Sequence, residues 1–275
     1  MDLHFQSAAV IARLIRDRKI SAAEALEHFL ARIDSYNGRV NAVIWLAAAR
    51  ARERARAADE ALAKGEVFGP LHGVPMTIKE SYNVAGSPTT WGDPMLRDNV
   101  TTASALAVER LTKAGVVLFG KTNVPLMLSD HQSYNDIYGT TNNSWDLTRS
   151  PGGSSGGEAA TLAAGLSALG AGSDIAGSLR NPAHYCGVYG HKPTWGADLD
   201  ARSRAAGHHD ADRHIGGRPD GAARRGPRSG VARAGRARPA AAGRLAGAIA
   251  GTARPPARRV SRRGVGIVAA VPDRH

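Results

Sequence analysis

At 275 residues and 28.8 kDa the chain has room for one large domain or two small ones. Its formal charge of +12 is unevenly placed: residues 1–196 are close to neutral, whereas residues 197–275 carry 17 arginines and no lysine against six aspartates and no glutamate. That second segment contains no Phe, Trp or Tyr and is built mostly from Arg, Ala, Gly and Pro. It cannot bury enough apolar surface to offset the entropy of ordering itself, so a disordered basic tail is expected.

A sequence pI near 10.5 would ordinarily suggest a nucleic-acid or anionic-membrane partner. The tail has no aromatic residues for stacking, no zinc-ligand spacing and no amphipathic period, so nucleic-acid binding is not the favoured reading. The single cysteine, Cys186, excludes an intrachain disulfide and reads as a buried apolar side chain. With no apolar run long enough to span a bilayer and no signal-peptide pattern after Met1, a soluble cytoplasmic protein without membrane contact is expected.

Taken in chain order, the first predicted element is a helix opened by the capping box Ser21 and Glu24. Leu26, Phe29, Leu30 and Ile33 form its apolar face, and Asn37-Gly38 ends it. Asn41–Trp45 reads as a short strand, and 46–64 as a mostly solvated Ala/Arg/Glu helix stopped near Gly65. Leu71–Glu80 holds a strand that ends on Lys79. A helix over 102–114 is capped by Gly115 and followed by a buried strand at Val116–Phe119. A Gly/Ser loop at 152–157 opens an Ala-rich helix, and a strand near 168–171 runs into Ser173-Asp174-Ile175. Alternating helices and short strands predict an α/β layered domain.

Three motifs offer chemistry. Residues 115–122, GVVLFGKT, match the phosphate-loop pattern formally, but a flexible turn is needed where Val, Val, Leu and Phe stand, and a helix precedes Gly115 where a strand should. Gly153-Ser-Ser155-Gly-Gly157 fits the nucleophile elbow of α/β-hydrolases, with Asp174 and His184 following in order. An elbow must sit directly after a buried strand, and Leu147–Pro151 is loop chemistry.

The third motif is long. Residues 150–183 read SPGGSSGGEAATLAAGLSALGAGSDIAGSLRNPA, which closely resembles the amidase signature: a GGSSGG loop followed by a second serine in a G-S-D-x-G-G-S-x-R-x-P segment. The resemblance extends to Leu71–Gly92, to Gly120–Pro125 and through Cys186–Pro193, covering most of residues 7–196. It implies an incomplete amidase-signature fold, a mixed sheet covered by helices on both faces, for residues 1–196. Residues 197–275 then form the basic tail, which has the composition of a GC-rich gene read out of frame.

The resemblance implies that the chain hydrolyses a small carboxylic amide through a serine acyl-enzyme, without cofactor or metal. Mapped residue by residue, it makes Ser178 the nucleophile, Ser154 the serine preceded by a cis peptide bond, and Lys79 the base. The backbone N–H groups of Ile175, Ala176, Gly177 and Ser178 would form the oxyanion hole. Ser155 would support the relay by hydrogen bonding, and Asp174 and Arg180 would form a structural ion pair. Ala176 departs from the pattern, since many members carry glycine there. The family's domain is longer than the matching stretch, so this chain is expected to show little or no activity as written. The nearest enzymatic alternative the resemblance implies is the A subunit of a glutamyl-tRNA amidotransferase. An alternative of another class, a basic nucleic-acid-binding protein, rests on the tail alone.

Overall fold

The computed structural model describes residues 3–192 and 266–269. A six-stranded mixed sheet runs through them in the order β1-β3-β2-β6-β8-β7. Its strands are β1 (Val43–Leu46), β2 (Pro75–Lys79), β3 (Val117–Thr122), β6 (Leu169–Gly172), β7 (Tyr189–His191) and β8 (Gly266–Ala269). The centre is parallel, with β2 between β3 and β6, and the outer pairings β1–β3, β6–β8 and β8–β7 are antiparallel. A small hairpin, β4 (Tyr134–Asn135) with β5 (Gly139–Thr140), stands apart from the sheet.

The helices are α1 (Ala8–Arg16), α2 (Ala22–Val40), α3 (Ala48–Ala63), α4 (Leu106–Lys113), α5 (Gly156–Ala163) and α6 (Arg180–Cys186). The main core joins α1–α4 to one face of the sheet, through Ile11, Ile15, Leu26, Phe29, Met76, Ile78, Val117 and Phe119. On the other face α5 and α6 bury Ala159, Ala160 and Cys186 against Val40 and Ala42. Strand alternation sorts β2 accordingly: Met76 and Ile78 enter the main core, while Thr77 and Lys79 point to the α5 side. Helices thus cover both faces, as the sequence implied.

Several boundaries differ from the sequence reading. The Ser21–Glu24 capping box forms, but α2 runs through Asn37-Gly38 to Val40 and ends on Asn41 in the left-handed region. The Asn37 side chain explains this: its carbonyl accepts from the N–H groups of Ala42 and Val43, and its amide donates to the Val43 carbonyl. It ties the following chain back to the helix where a stop was expected. Helix α3 is not merely solvated, because Ala51, Ala55 and Ala58 form a small-residue stripe buried in the main core. Helix α4 starts at Leu106, later than expected, because Thr101 and Ser104 are bonded to the 84–87 segment.

The segment 117–122 is one continuous strand paired on both sides, so Gly120-Lys121-Thr122 cannot curl around a phosphate. The expected disorder and frame of 197–275 lie outside the described residues, save for β8, which places 266–269 in the sheet beside β6 and β7. Among the described residues no helix is long and apolar enough to cross a membrane.

Candidate active site

The two parallel strands β2 and β6 end side by side, and the candidate site forms just beyond their carboxyl ends, the usual place for a site in such a sheet. Lys79 is the last residue of β2 and is fully buried. Its Nζ donates to Ser154 Oγ at 2.7 Å and to Ser173 Oγ, just past β6, at 3.0 Å. Burial pushes its pKa down to about 7, against the opposing pull of Asp174 and Glu158. The Gly153–Ser154 peptide bond is cis. Ser154 is buried in the loop that opens α5, and Gly153 lies flush against the backbone of Gln132.

Ser178 is half-buried on the loop between β6 and α6. Its carbonyl accepts from Ser155 N–H at 3.1 Å, which ties this loop to the cis-serine loop. Among the described residues no hydrogen bond joins Ser178 Oγ to Ser154 Oγ. The sequence-derived triad is therefore brought together as a bonded Lys79–Ser154 pair, with Ser178 held beside it through the backbone of Ser155.

Asp174 organises the loop that carries Ser178. Its carboxylate accepts from Gly177 N–H at 2.8 Å, from Leu179 N–H at 3.0 Å and from Arg180 N–H at 3.3 Å. The Arg180 side chain closes on it in two-point fashion, Nε to Oδ2 and Nη2 to Oδ1, both at 3.0 Å. Burial opposes ionisation of Asp174, but the arginine and the three amides hold it well below the usual carboxylate range.

This narrows the expected oxyanion hole. Gly177 N–H is already bonded to Asp174, whereas the N–H groups of Ile175, Ala176 and Ser178 make no hydrogen bond among the described residues. The positive φ of the loop, +123°, falls on Gly177 and not on Ala176, so alanine at 176 is accommodated in ordinary backbone.

Ser155 donates its hydroxyl to the Ser173 carbonyl at 3.2 Å and is fully buried, which is unlike an exposed elbow nucleophile. No strand precedes it directly, and among the described residues no hydrogen bond links His184 to Ser155 or Asp174. Cys186 is buried with its thiol pushed up to about 12, directed to the Pro151 carbonyl, and serves packing.

The sequence reading missed Ser173, Glu158, Glu80 and Lys121. Ser173 stands inside the quoted G-S-D motif, so the signal was there. Glu158 lies under α5, where Thr77 Oγ1 and Thr122 Oγ1 both donate to its carboxyl. On the far side of the Lys79 strand, buried Lys121 donates to the Pro88 carbonyl, to Thr89 Oγ1 at 2.9 Å and to Ser87 Oγ at 3.3 Å. Glu80 accepts from the N–H groups of Thr90 and Trp91. Together they fix the 87–91 loop beside the site. A cavity of about 390 Å³ lined by Tyr36, Arg39, Trp145 and Leu147 contains none of the triad residues. Among the described residues no cluster of His, Cys, Asp and Glu is suited to a metal ion.

Buried Lys79 is thus bonded to Ser154 of the cis peptide, with Ser178 on the facing loop. The family model described as Amidase matches residues 24–198, and the chain belongs to the amidase family. It is 43% identical over 196 residues to the A subunit of the glutamyl-tRNA(Gln) amidotransferase of Moorella thermoacetica, covering 71% of this chain and 40% of that protein. To an acylamidase of Rhodococcus erythropolis it is 42% identical over 195 residues, covering 71% of this chain and 41% of that protein. Among solved structures, a fatty acid amide hydrolase superposes with a TM-score of 0.69 at 32% identity, over 72% of this chain and 35% of the other. A bacterial aryl acylamidase of the amidase signature family superposes at 0.67 with 33% identity, over 70% of this chain and 40% of the other. The chain spans about two fifths of the length of the relatives it matches.

Proposed function

We propose that this chain carries the catalytic half of an amidase that hydrolyses a carboxylic amide through an acyl-enzyme on Ser178. The observation that carries the reading is the 2.7 Å hydrogen bond between Ser154 Oγ and the fully buried Lys79 Nζ. A serine hydroxyl attacks an amide only if its proton is removed as the new bond forms, and a lysine can take that proton only as the free amine. With its pKa pushed down to about 7 by burial, Lys79 reaches the free-amine form near neutral pH. As the free amine it keeps its hydrogen to Ser173 Oγ, and the 2.7 Å bond reverses, so that the Ser154 hydroxyl donates to the Nζ lone pair.

In the reaction Ser178 Oγ bonds to the carbonyl carbon, its proton passes to Ser154, and the Ser154 proton passes to Lys79. The carbonyl oxygen takes up negative charge facing the N–H groups of Ile175, Ala176 and Ser178, which make no hydrogen bond among the described residues. Collapse breaks the C–N bond, and the proton returns through Ser154 to the departing amine. Water attacks the acyl-enzyme by the same path and releases the acid.

A fluorophosphonate probe tests this reading. The 275-residue chain should turn over little or no amide yet label at Ser178, with labelling lost in Ser178→Ala and Lys79→Ala. Labelling at Ser155 in its place would refute it.

A second reading, release of ammonia from glutamine in the manner of a glutamyl-tRNA amidotransferase, is favoured by the 43% identity to a protein of that name. The Asn181-Pro-Ala-His-Tyr segment favours a stand-alone amidase over it. Glutamine-dependent ammonia release by the chain together with the other amidotransferase chains, absent with simple aryl amides, would decide for the second reading.

A further inference from the structure

We propose that Glu158 is a positioning residue for the same reaction: its carboxyl, sealed under the sheet on the Lys79 side, governs whether that lysine stands as ammonium or as free amine. The placement is specific. Thr77 and Lys79 share one face of β2, and Glu158 descends onto that face from the first turn of α5. Thr77 Oγ1 donates to one carboxyl oxygen, and Thr122 Oγ1 donates to the other at 2.8 Å. Gly170 of β6 makes room for it, because a Cβ there would collide with the Glu158 carboxyl. Glu158 is fully buried, and among the described residues no salt bridge reaches it.

A buried carboxyl without a cation in contact favours its neutral form. Burial pushes Glu158 up to about 8, with the two threonine hydroxyls and Lys79 pulling the other way. The Thr122 hydroxyl allows both forms, since it also lies 3.4 Å from the Ile78 carbonyl. When Glu158 is protonated, its O–H donates to Thr122 Oγ1 and the threonine proton turns to Ile78. When Glu158 is ionised, Thr122 donates back to it.

The fully protonated pair loses its first proton in one of two ways. Neutral lysine beside neutral acid leaves the Nζ lone pair that Ser154 needs, whereas ammonium beside carboxylate does not. The two groups therefore titrate as a coupled pair. Among the other charges around Lys79, Asp174 also pulls on it, and more strongly than Glu158 does, but each of them has partners of its own. Asp174, beyond β6, is paired with Arg180 of α6, Lys121 of β3 is bonded to the 87–89 segment, and Glu80 is bonded to the amides of Thr90 and Trp91. Strand β6 brings no titratable side chain.

The inference rests on the amidase reading only for its catalytic consequence, because the coupling can be measured in a chain that hydrolyses nothing. Carbon-13 NMR of the full chain labelled at lysine and glutamate reads both groups as pH is varied. In Lys79→Met the Glu158 carboxyl midpoint should rise by about one pH unit, and in Glu158→Gln the Lys79 midpoint should fall by about as much. Glutamine keeps both hydrogen bonds, so a merely structural role would move neither midpoint. Should Glu158→Gln fail to fold, the Lys79→Met measurement decides alone. Midpoints indifferent to the other variant, or a Glu158 carboxyl titrating near the ordinary value of about 4.3, would overturn the proposal. Failure of the amidase reading is visible separately, as absent phosphonate labelling at Ser178 with the titration unchanged.

Discussion

Lys79 Nζ and Ser154 Oγ lie 2.7 Å apart although 75 residues separate them in the chain. The lysine ends a central strand, and the serine belongs to the loop that opens α5. Burial of the first beside the second turns an ordinarily cationic side chain into a candidate base.

Hydrolysis, or phosphonate labelling where turnover is too slow to follow, should depend on pH through Lys79. The active form is the free amine, so the rate should climb as pH rises through about 7 and level off above it. Lys79→Arg, permanently charged, should lower the rate by roughly 10²–10⁴, the usual contribution of a general base. A pH profile that falls through neutrality, or an arginine variant of full rate, would contradict the assigned role.

Gly177 and Ala176 should respond unequally to exchange. A Cβ at Gly177 meets nothing closer than 3.8 Å, yet its φ of +123° is foreign to alanine. Gly177→Ala should therefore strain the nucleophile loop by about 1–3 kcal/mol and slow labelling of Ser178. Ala176→Gly should change the rate by less than about threefold, since its backbone is ordinary (threefold is below about 1 kcal/mol). Labelling kinetics of the two variants side by side provide the check.

Asp174→Asn removes the charge that gathers three amides and Arg180. Hydrogen bonds to a charged group contribute about 1.5–3 kcal/mol, so a stability loss near the lower end is expected because Arg180 is half in solvent. The folded carboxyl sits below its unfolded value, so this stability is present above about pH 4 and is lost as pH falls toward the folded pKa. The gap between wild type and variant in urea denaturation should be widest near neutrality and close in acid.

Gly157→Ala should destabilise the region where α5 meets the sheet. A Cβ there would stand 2.5 Å from both the N and the O of Asn123, and backbone on strand-connected chain cannot step aside. Overpacking of this kind costs about 1–3 kcal/mol and occasionally more. Thermal denaturation of the variant should show a clearly lowered midpoint; an unchanged one would mean that α5 can shift away from Asn123.

The sequence by itself determined the layered α/β class, the Ser21–Glu24 helix start, the β2 strand ending on Lys79 and the two serine loops, because those signals are local. Capping, alternation and a contiguous Gly/Ser motif each act over a few residues. It also excluded the phosphate loop at 115–122, since Val-Val-Leu-Phe belongs in a strand. What only the tertiary structure decided concerns groups that meet across the sheet. Asn37 extends α2 by bonding residues beyond the helix. Glu158 and Thr122 lie far apart in sequence yet share a proton network. Gly177 N–H is taken by Asp174, whereas the N–H groups of Ile175, Ala176 and Ser178 make no hydrogen bond among the described residues. Burial decides these matters, because desolvation and hydrogen-bond supply depend on which strands and helices close over a side chain.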